Sequence, residues 1–446
     1  MAEVRRTPSE AGTSAWDEFY LPGRQFPSVT NEEACDFLVV GGGFAGLSAA
    51  RELKLQDPTA RVVVVDALRI GEGASGRNAG FMIDVSHDLS SSDYAGSLDS
   101  DRQTICENRL AIDFAMTAAL DYEFEPDIVQ RSGKINVACT SRSLALARRY
   151  ARQLRSAGEA CSELSAYDLA EITGSDFYLG GVSTPGTVTI QPAAFIKSFA
   201  GGLQRDGVRV FECSPVARVR RDGKWRVAFA NGVDVTAGKV ILATNGHVQE
   251  FGYFTRQLID VTTFASISTP LTPVQTSAIG GQRSWALTPA APHGSTIRRV
   301  SGDVYGGTRI FFRSVFKTFG LNRASPEAIA CARSEHLKGM VKRYPSLGDL
   351  ELSHTWAGRL CLSGNRGSAV KEVAEGLFTA CCQNGLGTVR GTFNGILAAR
   401  LALGLSTSDL KPHGWALPQT LPSRPLTQLG VSAYLAWKRR ESRHEC

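Results

Sequence analysis

The glycine-rich segment at residues 41–46 has the residue types and spacing that most clearly predict chemistry. It reads Gly-Gly-Gly-Phe-Ala-Gly and fits the pattern GxGxxG. In this pattern the first glycine makes a tight turn, the second lets a pyrophosphate approach the backbone, and the third lets a helix pack on the preceding strand. The helix that follows directs amide N–H groups at the phosphates. The segment therefore predicts a dinucleotide site.

The flanking elements supply the context that this motif requires. An apolar run at residues 36–40 precedes it, a helical stretch follows at 47–55, and a second apolar run occupies 61–65. The apolar runs are continuous, which is typical of parallel strands covered on both faces. Asp66 ends the second run twenty residues after Gly46. An acidic side chain there accepts both ribose hydroxyls and disfavours a 2′-phosphate.

A second glycine-rich segment follows at residues 71–80, with the sequence Gly-Glu-Gly-Ala-Ser-Gly-Arg-Asn-Ala-Gly. Its small side chains leave room for the rest of a long cofactor to run along the protein. Arg77 and Asn78 can donate hydrogen bonds to phosphate or other cofactor oxygens. A flexible surface loop is the alternative, and composition alone does not exclude it.

These motifs and others, in their order, resemble those of the D-amino-acid-oxidase-like FAD-dependent oxidoreductases. That family includes glycine oxidase, sarcosine oxidase and gamma-glutamylputrescine oxidase, and the last subgroup is the most similar. The resemblance covers roughly residues 31–405. Its pieces are residues 41–46, Asp66, residues 73–78, Gln191 with Pro192, residues 240–245, residues 356–358 and residues 383–387.

The resemblance implies non-covalently bound FAD and a set of residues that hold it. Asp66 resembles the ribose-binding acid, which is more often Glu in relatives. The backbone of Val216 resembles the adenine contact. Residues 384–388 resemble the loop that contacts the flavin pyrimidine ring. Backbone N–H groups near Gly387 could stabilise negative charge on the reduced flavin. The implied cofactor-binding residues are Gly41, Gly43, Phe44, Ala45, Gly46, Asp66, Ala74, Ser75, Arg77, Asn78, Ala79, Val216, Asn384, Gly385, Leu386, Gly387 and Thr388.

Two features near the flavin leave alternatives open. Relatives often carry Thr-Pro-Asp soon after the Trp-x-Gly motif, whereas this chain has Ser363-Gly364-Asn365, which puts the local flavin contacts in question. Cys361 lies in the region where some relatives link the flavin covalently. Its spacing does not match theirs well, so a buried free thiol is favoured.

The expected fold class is α/β, with a Rossmann-like FAD-binding domain and a discontinuous, mostly antiparallel α+β substrate domain. Cofactor-like segments return after each non-matching block, which indicates that both domains are built from separated stretches. The expected division is an N-terminal arm at 1–30 lying on the surface, an FAD-binding domain at 31–121, 186–262 and 352–420, a substrate domain at 122–185 and 263–351, and a C-terminal tail at 421–446.

The substrate side has candidates but no nominated catalytic residue. Arg309, Phe311 and Arg313 share one face of a strand, as do His354 and Trp356, because side chains alternate with a period of two. Arginine beside aromatic rings suits an anionic group with an apolar or cationic neighbour. The alternatives are solvated arginines, a core Phe311 and a structural His354.

The resemblance implies oxidation of a C–N bond of an amine or amino acid by hydride transfer to flavin. The imine that forms would hydrolyse to a carbonyl, and oxygen or a quinone or other electron carrier would reoxidise the cofactor. A flavin-dependent monooxygenase or reductase is a second hypothesis, although no second GxGxxG stands in strand–helix context. A non-catalytic dinucleotide-binding protein is a third.

Composition and charge limit the classes of partner and binding site that we expect. The net charge of +6 is spread along 446 residues, so we expect no nucleic-acid partner. No apolar run reaches about 18 residues, so we expect no transmembrane segment. The ten cysteines include no CxxC pair and no His/Cys cluster has zinc spacing, so we expect no metal site. With no secretory signal evident, the expected location is cytoplasmic.

Overall fold

The computed structural model describes residues 2–20, 25–85, 98–410, 416–442 and 444–445. The strands are β1 (Ala2–Glu3), β2 (Glu33–Val40), β3 (Val62–Val65), β4 (Phe81–Met82), β5 (Val129–Arg131), β6 (Lys134–Ala138), β7 (Ser162–Ser165), β8 (Gly180–Thr184), β9 (Val188–Ile190), β10 (Arg209–Phe211), β11 (Val216–Asp222), β12 (Lys224–Phe229), β13 (Asp234–Leu242), β14 (Ile259–Ser268), β15 (Trp285–Pro289), β16 (Thr296–Val300), β17 (Arg309–Lys317), β18 (Leu352–Leu362), β19 (Ala369–Ala374) and β20 (Leu377–Cys381).

The helices alternate with these strands through most of the chain. The α-helices are α1 (Ala15–Phe19), α2 (Phe44–Gln56), α3 (Leu98–Asp121), α4 (Ser141–Ser156), α5 (Ala166–Thr173), α6 (Pro192–Arg205), α7 (Pro273–Ile279), α8 (Pro326–Arg343), α9 (Gly387–Leu403) and α10 (Arg424–Glu441). Short 3-10 helices occupy Ala74–Gly76, Asn245–Phe251, Asp303–Tyr305, Pro345–Leu347 and Ser408–Leu410. In the part of the chain that the structure describes, none of these helices has the length and apolar character needed to cross a membrane.

The first sheet has the parallel core that the sequence predicts. Its strand order is β1-β11-β12-β13-β2-β3-β10, with β20 beside β13 and β19 beside β20. Pairs β13–β2, β2–β3, β3–β10 and β13–β20 are parallel. All four residues of β3 are buried, and helices α2 and α9 pack together against this sheet. Buried on both faces, these strands need the continuous apolar runs seen in the sequence.

The second sheet is mostly antiparallel, as expected for the substrate domain. Its order is β18-β14-β17-β16-β15-β6-β8-β7, and β15–β6 is its parallel pair. The expected boundaries at 262 and 352 do not coincide with it. Strand β14 crosses residue 262, and β18, which was expected in the cofactor domain, pairs with β14 along nearly its whole length. Residues 356–358 of β18 resemble a motif of the family and therefore suggested the cofactor domain. The pairing of β18 with β14, which is distant in sequence, places the strand in the second sheet instead.

The expectation that the N-terminal arm lies on the surface is wrong at its helix α1. Trp16 is 0% exposed, and its ring packs on Phe311, Trp356 and Tyr305 at centroid distances of 5.1, 5.8 and 5.9 Å. One tryptophan among polar residues gives no periodic pattern, so the sequence carried no signal of this burial.

The C-terminal tail contains a helix that the sequence reading did not anticipate. Helix α10 carries Lys438, Arg439 and Arg440 in its last turn, where cations interact favourably with the helix dipole. None of its described residues is buried. Because the helix does not enter a core, its apolar residues give only a weak pattern.

Candidate cofactor and substrate site

The turn between β2 and α2 has the close backbone packing that a dinucleotide motif requires. Gly41 has a φ of 113°, and a Cβ at Gly46 would overlap the carbonyl oxygen of Gly41. Helix α2 has Gly43 as its N-cap residue, with no side-chain hydrogen bond to its first turn. The N-cap residue itself thus supplies no side-chain acceptor, and the amide dipoles of α2 favour an anion there.

Asp66 lies beside this turn at the end of β3. Its Oδ2 accepts a hydrogen bond from Gly42 N at 2.7 Å, and its Oδ1 accepts one from Leu68 N at 2.8 Å. Burial raises the pKa of Asp66 to about 6, although the two amide donors oppose that shift and the nearby Glu212 adds to it. The carboxylate lies beside the glycine turn, its ionised form is destabilised by burial, and its contact with the ribose stays a prediction.

The segment at residues 74–80 folds back onto the start of α2. Ser75 Oγ accepts a hydrogen bond from Phe44 N at 3.1 Å, which places its hydroxyl at the helix N-terminus. Asn78 holds the segment in shape, because its Nδ2 donates to Ser75 O at 2.6 Å and its Oδ1 accepts from Gly80 N at 2.7 Å. This arrangement keeps Ser75 close to the position expected for the phosphates.

Arg77 has a different environment from the one expected for a cofactor ligand. Its buried guanidinium donates from Nε to Ala357 O at 2.7 Å and from Nη2 to Ala11 O at 2.7 Å. The carboxylate of Glu10 lies 3.9 Å away. In this structure Arg77 therefore joins the arm to β18, and its contact with the cofactor stays a prediction.

The loop before α9 brings backbone amides to the same region. Asn384 and Gly385 have φ values of 49° and 87°, and α9 begins after Leu386, whose side chain does not cap the helix. Thr388 Oγ1 donates to Phe81 O at 2.6 Å, which ties the helix start to the segment after Gly80. The positive end of α9 therefore lies beside residues 79–81, as the flavin contact would require.

The departure from the family pattern at residues 363–365 has a structural role in this loop. Asn384 Oδ1 accepts from Ser363 N at 2.9 Å, and Asn384 Nδ2 donates to Gly367 O at 3.2 Å. Asn365 Nδ2 donates to Leu417 O at 2.9 Å. These polar residues hold the loop in place of the segment usual in relatives.

The adenine side is connected to Asp66 through backbone bonds. Ser214 N donates to Asp66 O at 2.8 Å, and Asp66 N donates to Phe211 O at 2.9 Å. Val216, two residues beyond Ser214, starts β11 and is buried. The structure thus brings the predicted adenine contact near the predicted ribose ligand.

Two buried polar atoms support the fit of a large polar cofactor. Thr244 Oγ1 and Asn245 Oδ1 have no hydrogen-bond partner within the described ranges. Both residues follow strand β13. The carbonyl of Ala243, which comes between that strand and Thr244, packs closely on Gly41. Buried polar atoms are normally paired, so these two are suited to a ligand at the glycine turn. The residues present therefore fit FAD.

The comparisons with known proteins agree with this geometry. A family model for FAD dependent oxidoreductases (DAO) matches residues 36–401. The chain belongs to the DAO family of FAD-dependent oxidoreductases. It is 26% identical over 424 residues to "Probable oxidoreductase OrdL" of Rhizobium meliloti (strain 1021), covering 90% of this chain and 91% of that protein.

Two further relatives of this oxidoreductase illustrate the range of similarity. "Gamma-glutamylputrescine oxidoreductase" of Escherichia coli (strain K12) is 30% identical over 234 residues, which is 50% of this chain and 52% of that protein. The crystal structure of glycine oxidase from Geobacillus kaustophilus has a TM-score of 0.69 at 18% identity and covers 86% of this chain and 99% of its own. This likeness shows the shared fold.

The predicted substrate-side residues of this FAD-dependent oxidoreductase do share one face of the second sheet. By register, Ala265 lies between Arg313 and Trp356, and Ile267 lies between Phe311 and His354. Arg309 follows on the same strand face as Phe311. The sheet therefore brings together all five residues, and helix α1 covers part of their face.

The contacts of these five residues are mostly with the arm and the backbone. Phe311 is 0% exposed beneath Trp16, and Trp356 Nε1 donates to Arg77 O at 3.0 Å. Arg309 Nε donates to Tyr305 O at 2.8 Å, and Arg313 Nη2 donates to Thr296 Oγ1 at 2.7 Å. His354 Nε2 lies 2.8 Å from a Glu18 carboxylate oxygen. Their roles at the substrate stay predictions.

Arg298 is the residue at this face that the sequence analysis missed. It lies on β16 opposite Phe311, and its Nη1 donates to Ala79 O at 2.9 Å and to Ile190 O at 3.0 Å. Its Nη2 donates to Tyr305 Oη at 3.3 Å, so its partners among the described residues are carbonyl and hydroxyl oxygens, with no carboxylate. The alternation of β16 puts Arg298 and Arg299 on opposite faces, which was the signal available in the sequence.

Cys361 is a buried thiol in this structure. Its interaction with Cys382 and its burial raise its pKa well above the ordinary thiol value. A protonated thiol is a poor nucleophile, so this environment favours a non-covalent cofactor. In the described ranges no group of three or more His, Cys, Asp or Glu side chains is arranged to hold a metal ion.

Proposed function

We propose that this oxidoreductase oxidises the C–N bond of an amine or amino acid, giving an imine that hydrolyses to a carbonyl. The observation that carries the proposal is the environment of Arg298. Its guanidinium is buried against the carbonyl of Ala79 in the predicted flavin segment, without a carboxylate partner in the described chain. A buried cation with no counter-ion is costly, and a substrate carboxylate would compensate it.

The surrounding residues suit this reaction. Phe81, Ile83 and Ala286 form a small apolar cluster that Ala79 and Leu386 extend, so water is excluded beside Arg298. The positive charge of Arg298 lowers the pKa of an amine bound directly beside it and therefore favours the neutral form of that amine. The amide dipoles at the start of α9 stabilise negative charge that develops nearby. Bound FAD supplies the acceptor of the hydride.

The named relatives support a nitrogen substrate. Two of them are described as a gamma-glutamylputrescine oxidoreductase and a glycine oxidase. Both names refer to compounds that contain a C–N bond. For this chain the substrate stays a proposal.

The direct test is anaerobic bleaching of the yellow holoenzyme. A panel of amines, amino acids and N-substituted amino acids should contain compounds that abolish the visible flavin absorbance band, with free FAD as the blank. Bleaching by NADH or NADPH alone would instead favour the monooxygenase or reductase hypothesis. Bleaching by 2-hydroxy acids but by no amine would contradict the proposal.

The electron acceptor is a separate part of the proposal. Both oxygen and a quinone or other carrier are compatible with the residues described. The best amine should therefore be tested with oxygen and with a water-soluble quinone analogue, in an oxygen electrode and a spectrophotometer. Turnover with neither acceptor, despite fast bleaching, would contradict both acceptor predictions.

A further inference from the structure

The face that carries Arg298 also carries a second buried cation, Lys134. Strand β6 pairs with β15, with Thr288 opposite Asn136, and β15 pairs with β16, with Ala286 opposite Arg298. Lys134 is two residues from Asn136 and points to the same side of the sheet. Its strand is separated from that of Arg298 by β15 alone, so their Cα atoms are roughly 10 Å apart.

The ammonium group of Lys134 lacks most of the hydrogen bonds it could make. The residue is 1% exposed, and its Nζ donates one bond, to Asn136 Oδ1 at 2.5 Å. The ring of Tyr150 lies 5.5 Å away. An ammonium has three N–H donors, so two of them find no acceptor among the described residues.

Other buried polar atoms near Lys134 are also unsatisfied. Thr184 lies opposite Lys134 on β8, and Thr288 lies opposite Asn136 on β15. The hydroxyl oxygens of both threonines are buried and have no hydrogen-bond partner in the described chain. Native proteins rarely bury several unpaired polar groups together, so the cluster indicates a place for a polar ligand.

The local charge favours an anion as that ligand. Burial lowers the pKa of Lys134 to about 8, and Asp84 opposes that shift. The Asp84 carboxylate has other partners, because its Oδ1 accepts from Thr187 Oγ1 at 3.1 Å and its Oδ2 lies 3.5 Å from Arg109 Nη2. It makes no ion pair with Lys134, whose charge therefore remains available to a ligand.

We propose that Lys134, Asn136, Thr184 and Thr288 form a subsite for a carboxylate at the distal end of the substrate. Arg298 would hold the carboxylate near the reacting carbon, so the preferred substrates are amines or amino acids with two carboxylates a few carbons apart. The substrate class rests on the proposed function. The anion site itself rests on the unsatisfied groups around Lys134.

Binding of non-oxidisable acids to the holoenzyme tests the subsite without turnover. Malonate, succinate, glutarate and adipate should perturb the flavin spectrum at lower concentration than propionate, butyrate, valerate and hexanoate, respectively. We expect at least one dicarboxylate to bind tenfold or more tightly than the monocarboxylate of equal chain length. Equal affinities throughout the two series would overturn the proposal.

Variants assign the effect to the residues. Lys134→Met should remove the dicarboxylate preference and leave monocarboxylate binding unchanged, whereas Lys371→Met, at an exposed position of β19, should behave as wild type. If Lys134→Met does not fold with flavin, Thr288→Val serves instead and should weaken dicarboxylate binding about two- to fivefold. An undiminished preference in the variant that folds would overturn the proposal.

Turnover separates this inference from the proposed function. Lys134→Met should raise the KM for a dicarboxylic amine tenfold or more, with kcat little changed. If simple amines bleach the flavin and Lys134→Met has wild-type kinetics, the function stands and the subsite is wrong. If no amine bleaches the wild type but dicarboxylates bind through Lys134, the subsite stands and the function is wrong.

Discussion

We expect the Asp66 carboxylate to have two opposite effects. It should lower the unfolding free energy of the apoprotein, and it should strengthen the binding of FAD. The carboxylate is buried and accepts hydrogen bonds from Gly42 N and Leu68 N, yet its pKa is about 6. Its ordinary pKa is 3.8, and each pKa unit is worth about 1.4 kcal/mol. The folded apoprotein with Asp66 ionised at pH 7 is therefore about 3 kcal/mol less stable against unfolding than it is well below pH 3.8, where Asp66 is protonated in both states.

The sign of the effect fixes its pH window. Between pH 3.8 and about 6 the folded state binds more protons at Asp66 than the unfolded state does. The stabilisation from the protonated group is complete below that window and is lost as the pH rises through it. The side-chain amide in the variant Asp66→Asn does not titrate. The difference in unfolding free energy, variant minus wild type, should therefore increase by about 2 kcal/mol from pH 4 to pH 7, most of the full change of about 3 kcal/mol.

Cofactor affinity should change in the opposite sense. The variant loses a charge-assisted hydrogen bond to the ribose, worth about 1.5–3 kcal/mol, which is roughly a 10- to 150-fold weaker Kd. Urea unfolding of both apoproteins at several pH values measures stability, and quenching of FAD fluorescence measures the Kd. The exposed carboxylate in Asp349→Asn is a matched control, for which we expect little change in either measurement.

Two results would refute this reasoning. If the two apoproteins keep a constant stability difference from pH 4 to pH 7, the pKa of Asp66 is not raised in the folded state. If FAD binds both proteins with equal affinity, the carboxylate does not contact the ribose. The second result would also remove the basis for placing the adenosine end of the cofactor beside β3.

Three other perturbations test the remaining parts of the site. Arg298→Lys should raise the KM for a carboxylate-bearing amine about tenfold, because the planar two-pronged donor is lost, and unchanged kinetics would contradict its role. Trp16→Ala should lower the unfolding free energy of the holoenzyme by about 3–5 kcal/mol in urea titrations, since a fully buried ring is removed; a loss under about 1 kcal/mol would show that the arm is loosely held. Gly46→Ala should give protein that retains little FAD after gel filtration, because the new Cβ overlaps the Gly41 carbonyl; full retention would contradict the turn geometry.

The cofactor side could be predicted because its signals are local. The glycine turn and Asp66 lie within one βαβ unit, so the spacing along the chain determines their geometry. The position of residues 384–388 near the flavin could be predicted only from the resemblance to the family. Nothing in the local sequence shows that Thr388 would bond to the carbonyl of Phe81, which is 307 residues away.

The substrate face could be predicted only in part because it depends on strand register. Period-two alternation correctly put Arg309, Phe311 and Arg313 on one face. It could not show that Trp16 covers Phe311 or that Arg298 lies opposite it, because both depend on pairings between distant segments. The buried cation opposite a predicted residue was therefore missed, although the predicted strand was in the right place.

The N-terminal arm links the cofactor segment to the substrate sheet. Glu10 is buried between Arg77, at 3.9 Å, and Arg359, at 3.7 Å, and burial raises its pKa despite both guanidinium groups. Breaking a buried ion pair leaves an uncompensated charge and typically costs about 3–5 kcal/mol, so the arm is firmly held once it is seated. Arg77 lies in the predicted flavin segment and Arg359 lies in β18 of the substrate sheet. We therefore expect that displacing the arm would disorder the segment at residues 71–80, and that disordering this segment would release the arm.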